Sequence, residues 1–299
     1  MINKCNILSL DGGGIRGVML LKQLIVLENE LDCDICEYFD IISGTSTGSI
    51  IAVLLALGYK ATDILELYVD NANKIFKKQF LRFGIFRPKY SDKYFNKILK
   101  DYVGNKTTDN LVTNIIVPAY NITTKKKRIF KSIKDNNVKL FDIIRSSASA
   151  QSFFKPHKIN GENYIDGGMV INNPALVSYI DAINMGYTNI SVLSFSTGVK
   201  DDVINNKTIN GGLLRWAKPT VDILLAEQAQ ITDYHMTSLG LEYDNLLYTR
   251  CNTIILKSSG KIDDVSKENM QNMLQDGSAS ALRNKTLLQK FLQQNESTS

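Results

Sequence analysis

Histidine is nearly missing: only His157 and His235 occur in 299 residues. A Ser-His-Asp triad therefore has little to draw on. His157 falls in the loop-like Phe153-Phe154-Lys155-Pro156-His157-Lys158 and His235 in a helical pattern, and both read as surface or packed side chains. Long apolar runs are missing too. Stretches such as Ile50 to Leu57 fall far short of the ~20 residues that a membrane-spanning helix needs. The chain enters its first strand almost at once, which leaves no room for a cleavable leader and predicts a cytoplasmic location. Cysteine is sparse, at four. Cys33 and Cys36 have the spacing of a redox pair or of half a zinc site, but no second pair completes a metal centre, so reduced structural thiols and no metal are expected. Zinc-finger, helix-turn-helix and aromatic RNA-binding signatures are absent, and no nucleic-acid partner is expected. There is no internal repeat, and the only low-complexity stretch is the polar end, residues 293–299, which is expected to fray.

What is present reads as one α/β domain over residues 1–292. The composition, 44% hydrophobic and 22% charged, is that of an ordinary globular chain. Strand-like runs at Ile7 to Leu10, Phe39 to Ser43, Ile115 to Ala119, Ile129 to Ser132 and Ile190 to Ser194 alternate with helical ones at Val18 to Leu31 and Ser49 to Leu57. This order predicts a three-layer architecture, a largely parallel sheet flanked by helices, whose ligands bind beyond the carboxyl ends of the strands.

Two motifs lie at such ends. Gly44-Thr45-Ser46-Thr47-Gly48 joins a strand to a helix, a turn that lifts the Ser46 hydroxyl clear of the backbone and aims the helix N-terminus at it. Small residues also crowd together wherever a strand turns tightly into a helix, so the pentapeptide alone is a weak signal. Asp11-Gly12-Gly13-Gly14-Ile15-Arg16-Gly17 exposes a row of backbone N–H groups without intervening side chains. It could cradle a nucleotide phosphate, but no Gly-Lys-Ser/Thr follows and the glycine spacing misses the dinucleotide pattern. With a serine turn in the same chain, an oxyanion hole is favoured: the N–H groups of Gly13 and Gly14 face the developing oxyanion and Arg16 adds charge. A base remains to be found. Asp166, in Tyr164-Ile165-Asp166-Gly167-Gly168, ends a short apolar strand, and two glycines leave its carboxylate unshielded; read alone, Asp-Gly-Gly is more often a plain turn.

Together these motifs resemble the patatin-like phospholipases, lipid acyl hydrolases with a Ser-Asp dyad. The likeness extends through Arg145-Ser146-Ser147-Ala148-Ser149-Ala150, Asn172-Asn173-Pro174-Ala175 and Val192 to Gly198, and more weakly from Ala217 to about Leu292. The resemblance implies Ser46 as nucleophile, Asp166 as base, and Gly12, Gly13, Gly14 and Arg16 as the oxyanion region. It also implies membrane glycerolipid or another acyl lipid as substrate, peripheral contact with membranes and no cofactor. Neutral-lipid lipase, lysophospholipase and non-enzymatic lipid storage are the alternatives, and an activating small molecule is left open. Asp11 is assigned to shaping its turn.

The net charge is +5, and part of it is concentrated. From Lys74 to Lys100 cations alternate with large apolar residues, which reads either as a helical cap packed on the core or as a rim meeting an anionic membrane. Lys125-Lys126-Lys127-Arg128, between two strand-like runs, reads as a solvated hairpin turn.

Overall fold

The structure is a computed structural model that describes residues 3–77, 87–198, 204 and 206–297. Its strands are β1 (Lys4–Leu10), β2 (Ile41–Gly44), β3 (Asn114–Asn121), β4 (Lys126–Lys131), β5 (His157–Ile159), β6 (Glu162–Asp166), β7 (Asn189–Phe195) and β8 (Leu246–Cys251). They form one sheet in the order β5-β6-β3-β2-β1-β7-β8, with β4 paired to β3. Pairing is parallel from β3 through β2, β1 and β7 to β8, as the order of elements predicts. The additions at the far side, β4, β5 and β6, are antiparallel.

The helices are α1 (Gly17–Glu30), α2 (Ile35–Tyr38), α3 (Thr47–Ala56), α4 (Ala61–Ile75), α5 (Asp92–Val103), α6 (Leu140–Ser147), α7 (Ala175–Asn184), α8 (Asn206–Ile209), α9 (Leu213–Glu242) and α10 (Lys267–Ser297). Strand alternation sends side chains to both faces. Leu8, Leu10, Ile42, Val117, Leu193 and Phe195 join the core cluster formed with α1, α3 to α6 and α10. Ile7, Ile41, Ile116, Ile190 and Val192 pack against α7 and Met236 of α9. A parallel sheet covered on both faces needs apolar residues at successive positions, which is why its central strands are legible as continuous runs.

One edge of β3 explains the site. β2 runs parallel to β3 from Ile41 opposite Asn114 to Ser43 opposite Ile116. β6 runs antiparallel along the same edge, from Tyr164 opposite Asn121 to Asp166 opposite Ala119. Their carboxyl ends therefore converge head to head over Val117 and Pro118. The Ser132 N–H donates to Ile115 O on the β4 side, so by strand alternation Pro118 faces the gap between β2 and β6. A proline inside a central strand ordinarily removes a ladder bond; here the missing donor would have pointed where no strand lies.

Two expectations change. His157 opens β5 rather than lying in a loop, because its segment pairs with Tyr164 of β6. Residues 293–297 do not fray: α10 runs to Ser297, and buried Asn295 donates to Asn6 Oδ1 at 3.0 Å and Tyr38 Oη at 2.8 Å. Residues 298–299 lie outside the described residues, as do 78–86 of the basic and aromatic segment. The tetrabasic run is a hairpin, with Lys125 at φ 56° and Lys126 opening β4. Among the described residues no helix is long and apolar enough to cross a membrane.

Candidate active site

Ser46 sits between β2 and α3 with φ 54° and ψ −117°, a conformation that costs a non-glycine residue on the order of 1–3 kcal/mol. The turn is feasible because its glycines let the backbones touch. A Cβ on Gly44 would stand 2.1 Å from Gly48 O, and one on Gly48 would stand 2.3 Å from Leu10 O. The strain aims the hydroxyl across the end of β2, where the Ser46 Oγ–H donates to Asp166 Oδ2 at 2.6 Å. Asp166 is buried, and its Oδ1 accepts the Gly168 N–H at 2.8 Å. Burial pushes this carboxyl up to about 6, against the hydrogen bonds from Ser46 and Gly168 that pull it down. It is thus mostly ionised at neutral pH, yet far more basic than an exposed carboxylate.

One short segment holds both partners. Ser147, at the end of α6, accepts the Ser46 N–H on its Oγ at 3.0 Å, and Ser149 O accepts the Asp166 N–H at 3.1 Å. The sequence contained this Arg145 to Ala150 stretch without a role for it. Ser147→Ala leaves the Ser46 N–H without its acceptor, a loss of about 1–3 kcal/mol. On a short soluble ester, kcat should fall on the order of tenfold with KM little changed; an unaltered kcat would reduce Ser147 to packing.

The glycine loop divides its labour. The Gly12 N–H donates to Asn172 O at 3.1 Å and Gly12 O accepts from Thr197 Oγ1 at 2.6 Å, so this residue is committed to the fold and does not offer a free donor. The N–H groups of Gly13 and Gly14 have no intramolecular acceptor among the described residues. Arg16 borders the same space, its Nε donating to Gly13 O at 3.4 Å. Burial lowers Arg16 to about 10, opposed by Asp222 and Asp11, so it stays cationic at neutral pH. Asp11 is structural, as its sequence context suggests: Arg250 grips its two oxygens at 3.0 and 2.5 Å and donates to Ser194 Oγ at 2.7 Å. Arg250 lies in β8, a strand that its own charge had hidden.

Ser46, Asp166 and Gly12 to Arg16 form one wall of a cavity of about 580 Å³. The remaining walls are mostly apolar: Leu67, Ala72, Ile75 and Phe76 on or next to α4, Phe95, Ile98 and Leu99 on α5, Phe153 and Phe154, and Leu214, Val221 and Leu225 on α9, with Tyr68, Gln151, Asn172 and Asp222 among them. Of the Lys74 to Lys100 segment, Ile75, Phe76, Phe95, Ile98 and Leu99 thus line the cavity, while residues 78–86, which hold several of its large apolar side chains, lie outside the described residues. Neither histidine reaches the site. His157 Nε2 pairs with Asp142 Oδ1 at 2.8 Å, and His235 is exposed on α9. All four cysteines are free, and burial first of all raises Cys5 and Cys251 to about 12.

Fold and site define a three-layer α/β protein with a serine–carboxylate pair at one end of an apolar cavity. Residues 8–179 match the family profile "Patatin-like phospholipase", and the chain belongs to that family. Patatin-T5 of Solanum tuberosum is 27% identical over 91% of this chain and 82% of its own length. Patatin-like protein 2 of Arabidopsis thaliana is 30% identical over 79% of this chain and 72% of its own. Among solved structures, human GIVD cytosolic phospholipase A2 in complex with methyl gamma-linolenyl fluorophosphonate shares the fold, with a TM-score of 0.52 at 10% identity. The alignment covers 98% of this chain and 59% of that one. Family membership supports a lipid hydrolase acting on lipid substrates.

Proposed function

We propose that the protein is a phospholipase A-type acyl hydrolase that works through a Ser46–Asp166 dyad. The observation that carries this reading is the 2.6 Å hydrogen bond from a strained serine hydroxyl to a buried carboxylate, at the end of an apolar cavity that suits an acyl chain. Asp166 takes the hydroxyl proton as Ser46 Oγ attacks the ester carbonyl, and the N–H groups of Gly13 and Gly14 receive the oxyanion with Arg16 adding positive charge nearby. The protonated Asp166 then gives its proton to the departing lysolipid alcohol. Regenerated as carboxylate, it takes a proton from the water that attacks the acyl-serine and passes it to the departing Ser46 Oγ, which releases the fatty acid and restores the dyad. No histidine and no metal enters these steps.

Asp166 must be ionised to act, so kcat/KM should rise with pH and level off above about 6, the value to which burial lifts this carboxyl. The test is to incubate the protein with a mixed phospholipid and triglyceride extract across that range and identify products by mass spectrometry. Free fatty acid and lysophospholipid with that pH profile are expected. Release from triglyceride alone would make it a neutral-lipid lipase, and rate control by a group titrating near 7 that vanishes in His157→Ala would remove Asp166 as the base.

A further inference from the structure

The first half of helix α9 carries apolar residues well beyond the stripe that faces the cavity, interrupted by Arg215, Lys218 and Asp222. Its inward residues Ala217, Val221 and Leu225 line the cavity, while Leu213 is 85% exposed and Leu224 50% exposed, both outside that lining. Leu214 is 94% exposed and also borders the cavity, so it stands at the mouth. Exposed Ile209, from the preceding α8, and half-buried Trp216 extend the same surface. A helix whose apolar surface extends well past the stripe it packs with is ordinarily covered by protein or by lipid. This one is tied down beyond the patch, where Asn172 Nδ2 donates to Leu225 O at 3.0 Å and Gln228 Nε2 to Met169 O at 3.4 Å. Its first half thus projects from the loop that follows Asp166.

We infer that Ile209 and residues 213–224 form the face by which the protein docks on an anionic lipid bilayer, with Leu214 leading acyl chains into the cavity. This rests on the lipid-hydrolase reading. Two features choose a bilayer as the occupant. The exposed apolar surface is continuous with the lining of the cavity, so a chain leaving the bilayer need not cross water. Exposed Lys207 and Arg215 flank the patch, and its one acidic residue, Asp222, lines the cavity beside Arg16; an interfacial helix with tryptophan, leucines and flanking cations is suited to an anionic surface. A second copy seated symmetrically on this face would set those cations against one another.

Trp216 is the only tryptophan, so its emission reports on this helix alone. In the Ser46→Ala protein, which spares the lipid during titration, phosphatidylcholine–phosphatidylglycerol vesicles should shift that emission to shorter wavelength. Phosphatidylcholine vesicles alone should do so less, and salt should weaken the effect. Leu213→Ser/Leu224→Ser, both outside the cavity lining, should lower vesicle partition on the order of 10²-fold. In the otherwise wild-type chain the same pair of changes should leave cleavage of a short soluble ester intact. Unchanged emission, or unchanged partition of the double variant, overturns the inference. So does self-association in solution that the double variant abolishes while vesicle partition stays the same, which would put a second copy on the face. Partition as expected, with no fatty acid released from the vesicles by wild type, upholds the docking face and refutes the hydrolase reading.

Discussion

Asp166→Asn should lower turnover by several orders of magnitude and, at pH 8, make the fold more stable. The loss follows from removing the base that sits 2.6 Å from the Ser46 hydroxyl. The gain follows from linkage. In the folded protein, burial raises this carboxyl to about 6, whereas an unfolded aspartate titrates near ~3.9. The folded state thus holds the proton more tightly. Below about pH 4 both states are protonated and the group costs nothing; above about pH 6 both are ionised and the full penalty, about 2–3 kcal/mol, is present. Urea unfolding should therefore show Asp166→Asn stabilised by about 2 kcal/mol at pH 8, with the difference fading toward pH 4. Ser46→Ala/Asp166→Asn should be little slower than either single variant, since groups that act as a unit lose activity non-additively. Equal stability at both pH values would mean that the carboxylate is not penalised by its surroundings, and additive kinetic losses would mean that the two residues do not act together.

Gly13→Ala should reduce kcat on the order of 10²-fold or more while KM changes far less. A Cβ there would lie 2.2 Å from Thr197 Oγ1 and 2.6 Å from Thr197 Cβ, and Thr197 cannot retreat without releasing Gly12 O, which it holds at 2.6 Å. The loop must move instead, carrying its free N–H groups out of line. Misplaced donors weaken a developing oxyanion more than a bound ester carbonyl, so the cost falls on the transition state. Steady-state kinetics on a soluble ester separates the two quantities. A rise in KM alone would make the loop a ground-state binding element, and nucleotide binding abolished by this change with hydrolysis intact would restore its phosphate-cradle alternative.

Much of this site was legible because its chemistry is written in short contiguous motifs. A glycine-flanked serine after an apolar run, three glycines after another and an aspartate before two more each announce a local backbone shape. The shared β3 edge that brings Ser46 and Asp166 together was not legible, because it depends on β2 and β6 pairing with one strand from opposite directions across more than a hundred residues. The supporting contacts were hidden for the same reason. Ser147, Ser149, Asn172 and Thr197 lie in stretches whose family likeness was visible, but nothing in a serine or a threonine names the backbone group it will hold. Arg250 was obscured by its own strand, where a charged residue breaks the apolar pattern that identified the neighbouring strands. The polar end of α10 misled for a related reason: Asn295 packs by hydrogen bonds rather than by apolar area, so composition alone gives no sign of it.

The central claim is that Ser46, activated by Asp166, carries the acyl group. The most direct measurement is to treat wild type, Ser46→Ala, Asp166→Asn and His157→Ala with a long-chain alkyl fluorophosphonate and locate the adduct by peptide mass spectrometry. Rapid labelling confined to Ser46 is expected in wild type and His157→Ala, with none in Ser46→Ala and greatly slowed labelling in Asp166→Asn. Labelling at another residue, or labelling of Ser46 at an undiminished rate without Asp166, would contradict it.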